Sequence, residues 1–81
     1  MQANVYTWLG KAYARAGDHK QAVEIFAQSL AATAEYSETY FYLALSYKEL
    51  KDEGRVKEAC KSYIRAEPNG RYRDECLKLV Q

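Results

Sequence analysis

Apolar side chains return at intervals of three and four along most of this chain, and each run of them stops at a short polar or glycine-bearing stretch. Over 3–16, Tyr6, Leu9, Tyr13 and Ala16 keep that spacing with Val5 and Ala12 on the same side, which predicts a helix with one apolar face. Gly17 supplies the residue that tolerates the left-handed backbone of a helix C-terminus, and Asp18, with Gln21 three residues on, forms a capping-box arrangement for a second helix. That helix is expected over about 19–33, with Ala22, Val23, Phe26, Ala27, Leu30 and Ala34 inward. Ser37 reads as the N-cap of a third helix, followed by Glu38 in the first turn, where the helix dipole favours a negative charge. Its inward residues are Tyr40, Leu43, Ala44 and Tyr47, and it runs to about Lys51. The polar turn over 51–54 precedes a fourth helix over 55–66, facing inward through Val56, Ala59, Cys60, Tyr63 and Ile64. Pro68 ends it, because the residue before a proline resists helical geometry. A fifth helix, over 70–81, has Tyr72, Cys76, Leu77 and Val80 as its apolar side. The pattern is all-α, and turns of only a few residues make successive helices antiparallel neighbours.

The pattern also repeats. Tyr6-Thr7-Trp8-Leu9-Gly10-Lys11-Ala12-Tyr13 returns, at an offset of 34, as Tyr40-Phe41-Tyr42-Leu43-Ala44-Leu45-Ser46-Tyr47. Gly17, Lys20, Ala22 and Phe26 are answered by Gly54, Lys57, Ala59 and Tyr63 at an offset of 37, which predicts an insertion of about one helical turn inside the second unit. Self-similarity at this period is the mark of a stacked helical array, in which a terminal amphipathic helix covers the last open face.

These residues resemble the tetratricopeptide repeat, whose consensus is W-x-x-L-G-x-x-Y, then A-x-x-x-F, then P. The first unit matches at Tyr6, Leu9, Gly10, Tyr13, Gly17, Ala22 and Phe26, the second at Tyr40, Leu43, Ala44, Tyr47, Gly54, Ala59, Tyr63 and Pro68. Two departures are expected to matter: Ala34 stands where the first closing proline belongs, and an early Pro68 offsets the longer second turn by shortening the fourth helix. The resemblance implies a right-handed α-solenoid in one domain over 1–81, with repeat one at 3–36, repeat two at 37–70 and a capping helix at 70–81. It also implies a protein-interaction scaffold that takes a short peptide or partner helix in a concave groove lined by the first helix of each repeat. Such proteins are rarely enzymes. Two repeats are fewer than the three usually needed for independent stability, so a place in a longer array or self-association is expected.

If Leu9 and Tyr13 face the core, a rotation of about 100° per residue turns Thr7, Lys11 and Arg15 toward the groove. Asn4 and Ala14 lie beside them, and the same positions of the second unit are Phe41, Leu45, Glu38, Lys48 and Glu49. The expected site is a groove with an apolar centre at Phe41 and Leu45 and basic flanks at Lys11, Arg15 and Lys48. It would suit a peptide with a hydrophobic anchor and an acidic or C-terminal carboxylate group. Two other readings of Phe41 and Leu45 stay open: scattered surface apolars, or residues covered by the fifth helix or by another copy of the chain. Some members of the family clamp an acidic C-terminus with lysine, asparagine and arginine. Here only Lys11 stands at such a position, Leu45 replaces the asparagine, and the cap offers Glu75 and Leu79 where basic residues belong, so that function is not carried over. Trp8 and Tyr42, which hold the same place in the two copies, are either an exposed aromatic ladder or packing residues against neighbouring repeats.

Composition narrows the functional classes. Lys+Arg at 12 against Asp+Glu at 11 leaves a net charge of +1, which speaks against nucleic-acid binding and against an anionic membrane surface. No apolar run nears the roughly 20 residues of a membrane span, and no signal-peptide core is visible, so a cytoplasmic chain is expected. His19 is the only histidine, and no nucleophile or metal-ligand set accompanies it, so neither catalysis, metal nor cofactor is expected. Cys60 and Cys76 read as reduced, partly buried thiols, with a bridge sterically open if the last two helices pack together. The rival to a peptide-binding scaffold is a homo-oligomerisation or stacking unit without a separate ligand.

Overall fold

The computed structural model describes residues 3–32 and 37–80, and all its regular structure is helical. The helices are α1 (Ala3–Arg15), α2 (His19–Ala32), α3 (Glu38–Glu49), α4 (Glu53–Ala66) and α5 (Arg73–Leu79). Thr33 and Ala34, expected at the end of the second helix, and Gln81 lie outside the described residues. α1 pairs with α2 and α3 with α4; α3 also packs on α2, and α5 lies across α4 and α3. The result is a two-layer solenoid of two helix pairs with a short closing helix.

Both pairs are joined by the same turn. After α1, the Asp18 N–H donates to the Tyr13 carbonyl at 2.9 Å and the Gly17 N–H to that of Ala14 at 3.0 Å. After α3, Asp52 donates to Tyr47 and Lys51 to Lys48, both at 3.0 Å, so each turn is a Schellman closure. Gly17 sits at φ +88°, where glycine has no Cβ to strain, and Lys51 holds the same left-handed place at φ 62°. Asp18 then accepts from the Gln21 N–H at 3.2 Å, and Asp52 from the Arg55 N–H at 3.3 Å, which caps α2 and α4.

Every one of these equivalences keeps the offset of 34, which removes the expected insertion. The buried residues agree: Ala22, Ile25, Phe26 and Ser29 on α2 become Val56, Ala59, Cys60 and Tyr63 on α4. Gly54 therefore lies inside the first turn of α4, and α4, at 14 residues, is as long as the described α2. A shift of three residues along a helix keeps a side chain near the same face, which is why an offset of 37 is self-consistent in the sequence.

Four other expectations are corrected. Ser37 makes no side-chain cap, and its hydroxyl donates instead to Glu67 at 3.2 Å. On α2, Ala27 is exposed, and Ile25 and Ser29 take the inward places; on α5, Cys76 is buried while Leu77 stays 38% exposed. The packed face of α1 is also rotated from the one expected. From Val5 onward Thr7 and Gly10 are the buried residues, whereas Val5, Leu9, Ala12 and Ala16 are exposed. The reason is Gly10, whose missing side chain lets α1 close onto the ring of Phe26.

Cys60 and Cys76 meet where α5 crosses α4, both buried and both free thiols. Burial pushes both up, more than offsetting at Cys60 the lowering from its hydrogen bond with Cys76. The same bond adds to burial at Cys76, which is taken up to about 12. As neutral, enclosed thiols they serve as small apolar packing.

Candidate functional site

The repeat brings side chains from four helices around one cleft of about 530 Å³. α1 contributes Lys11, Ala14 and Arg15, α2 His19 and Phe26, α3 Tyr42, Leu45, Ser46, Lys48 and Glu49, and α5 Leu79. Phe26 and Tyr42 stack with ring centres 6.2 Å apart and make an aromatic floor. Leu45, 38% exposed, and Leu79 extend that floor, so the middle of the cleft is apolar while its rim carries the charges.

The cations of the rim differ in how far they are engaged. Lys11 places its Nζ 4.5 Å from the centre of the Tyr42 ring and donates to the Tyr42 hydroxyl at 3.4 Å. That hydroxyl is also 3.3 Å from the Tyr72 hydroxyl, and this bond, with burial next in weight, raises the Tyr72 phenol. Lys48 pairs with Glu53 at 3.2 Å. His19 Nδ1 lies 3.4 Å from the Ser46 hydroxyl. Among the described residues nothing pairs with the exposed Arg15, so its guanidinium keeps all its donors for an incoming acceptor. Among the described residues no three His, Cys, Asp or Glu side chains gather in one place.

Of the residues expected to face a groove, Lys11, Arg15, Leu45 and Lys48 meet in this cleft. Thr7 and Phe41 do not. Thr7 is 2% exposed, its Oγ1 lying 2.8 Å from both the Ser29 and the Thr39 hydroxyls, a polar knot where α1, α2 and α3 meet. Phe41 is 7% exposed beneath Tyr72, the rings stacked at 4.2 Å and 4°. Cover by the fifth-helix segment is one of the readings the sequence leaves open for it. Ala14 and Glu49, expected beside that groove, also line the cleft; Tyr42, His19, Ser46, Phe26 and Leu79 complete it, and helical rotation from the expected core does not place these five there. The register of Tyr42 with Trp8 is a usable signal for the first of these, and Leu79 stands at a cap position where the family's clamp would hold a basic residue.

The position of Thr7 carries a prediction. Thr7→Val keeps the shape but deletes the hydroxyl shared with Ser29 and Thr39, and should cost about 1–3 kcal/mol in urea unfolding. A change within about 0.5 kcal/mol, the usual effect at a solvated site, would put Thr7 back on the surface.

Smaller clefts lie elsewhere among the described residues. One of about 350 Å³ is lined by Tyr63 and Tyr72 together with Ser37, Glu38, Glu67 and Arg71, so that both acidic and basic side chains border it. Two family models, both described as tetratricopeptide repeat, match the chain at residues 3–36 and 38–69. A comparison with curated proteins returns no match.

Proposed function

The chain belongs to the tetratricopeptide-repeat family, a family of non-catalytic modules through which proteins bind one another, and from that premise we propose that its cleft takes a short peptide segment of a partner protein. The observation that carries this reading is an apolar floor of Phe26, Tyr42, Leu45 and Leu79 beside Arg15, the rim cation left unengaged among the described residues. The floor would receive a hydrophobic anchor side chain, gaining about 25 cal/mol per Å² of apolar surface removed from water. Arg15 would take a carboxylate, either an acidic side chain or a C-terminus, through a two-pronged hydrogen bond that a lysine cannot match. Lys11 and Lys48 would add attraction that fades with salt, since both already have partners.

The test is a library of short fluorescent peptides, each with one large apolar residue next to an acidic residue or a free C-terminus, read by anisotropy. Against the best binder, Leu45→Glu should abolish binding and Arg15→Ala should weaken it about tenfold, with circular dichroism unchanged in both. Binding indifferent to both substitutions, or no binder in the library, would remove the cleft as the site.

A further inference from the structure

The chain's two cysteines come from different helices, and the fold sets them thiol to thiol: Cys60 on α4 and Cys76 on α5, both buried and hydrogen-bonded to each other. α5 is seven residues long, and its entry is tied down by Tyr72, whose ring stacks on Phe41 and whose N–H donates to the Tyr63 hydroxyl. Along α5 itself the buried residue is Cys76, so the body of the helix closes onto α4 through this pair. Two thiols are a weak hold, since S–H is a poor donor and small side chains bury little surface. They are also a contact that a change in redox state can make covalent.

We propose that this pair is a modification site for low-molecular-weight disulfides such as oxidised glutathione, which convert it to a Cys60–Cys76 bridge that latches α5 onto α4. While α5 is docked, burial keeps both thiols protonated, so the reaction waits until the helix lifts. One cysteine, freed by that opening, then loses its proton to water, and its thiolate attacks a sulfur of the oxidant. The oxidant's S–S bond breaks, a mixed disulfide forms on the protein, and one glutathione leaves as thiolate. When α5 returns, the other cysteine loses its proton and attacks the protein sulfur of the mixed disulfide, which expels the second glutathione. The balance is two cysteine thiols oxidised to one S–S bond and one glutathione disulfide reduced to two thiols. Sulfurs already in hydrogen-bonding contact need only a small slide of a short helix to reach the bond length of about 2 Å. The bridge closes a loop of about 15 residues, which removes most of the open states of α5. Leu79, on the next turn of α5, is thereby held in the floor of the cleft, whatever the cleft binds.

The test equilibrates the full chain with glutathione buffers from fully reduced to fully oxidised, traps the thiols by alkylation and reads the products by mass spectrometry. The expected product is a single chain lighter by two hydrogen atoms, free of bound glutathione and restored by dithiothreitol. In that product amide exchange over α5 should slow at least about tenfold relative to the reduced chain. Bridging should also accelerate in urea too dilute to change the circular dichroism, in step with exchange over α5 of the reduced chain. Cys60→Ala and Cys76→Ala should each stop with one glutathione bound, because the resolving thiol is gone; circular dichroism checks their folding, and the wild-type measurements stand without them. The proposal is overturned if both thiols stay free in the oxidised buffer, if the wild type ends as mixed disulfides or as chains joined to one another, or if a bridge forms and leaves exchange over α5 unchanged.

Discussion

Phe26→Ala should destabilise the chain by about 3–5 kcal/mol, the usual range for deleting a buried phenylalanine. The side chain is fully enclosed, and its neighbours cannot collapse into the space it would leave. On one side α1 already approaches as closely as its backbone allows, at Gly10; on another the Tyr42 ring, 6.2 Å away, is tethered by Lys11 and Tyr72. The cavity would open where α1, α2 and α3 meet, so the loss reaches the joint between the repeats as well as the first pair. In an 81-residue domain that is most of the stability available. Urea and thermal unfolding followed by circular dichroism should show a much reduced or absent cooperative transition, and a loss below about 1 kcal/mol would mean that Phe26 does not hold this joint. The same contact can be approached from its other side. Gly10→Ala in an open helix would gain about 1 kcal/mol, but here the new Cβ would stand 2.6 and 2.7 Å from two ring carbons of Phe26. The ring must shift out of its packing against Tyr42, so the change should be destabilising by about 1–3 kcal/mol, and Phe26→Leu should relieve part of it.

That pair also explains how the second repeat tolerates different residues. At the equivalent positions of the second repeat, Ala44 stands for Gly10 and Cys60 for Phe26, both buried. The larger residue on one helix is matched by a smaller one on the other.

The helices themselves were legible from periodicity because an apolar stripe needs cover wherever the helix lies, and the first turn was legible because Gly17 and Asp18 each serve a local need. The second turn was not, since a lysine holds the left-handed position and the nearby Gly54 offers a better-looking candidate. Nor could the rotation of α1 be read. Periodicity shows which residues are apolar, but Leu9 and Val5 remain outside because no described helix lies over them, while the small Gly10 and polar Thr7 go in. Thr7 is satisfied by hydroxyls 22 and 32 residues away, a match no local window contains. The cleft was half legible for the same reason: the basic rim follows from helical rotation, whereas the floor depends on which aromatic ends up under which.

Phe41 is the residue on which the pattern and the fold disagree most, and Phe41→Ala separates them. As a groove residue it would be dispensable for folding, and its loss would register only in binding. As the ring beneath Tyr72 it should cost about 3–5 kcal/mol, of which about 0.5–1.5 kcal/mol belongs to aromatic pairing beyond the buried area. Phe41 also lies 5.7 Å from Tyr42 and 6.5 Å from Tyr63, so its removal loosens the aromatic group that holds the segment leading into α5. Tyr72 donates its N–H to the Tyr63 hydroxyl at 3.0 Å, which ties that segment to α4. The expected sequence of events is therefore release of α5 ahead of the rest, visible as early loss of amide protection in hydrogen exchange over its residues. Leu45→Ala, one turn along the same helix but 38% exposed, should cost no more than about 1 kcal/mol and leave α5 in place. Equal, small effects of the two substitutions would return Phe41 to the groove. Unequal ones, with protection lost only in Phe41→Ala, mean that a peptide-binding defect in that variant reports the lid rather than a ligand contact, and that Leu45 is the residue through which the cleft should be probed.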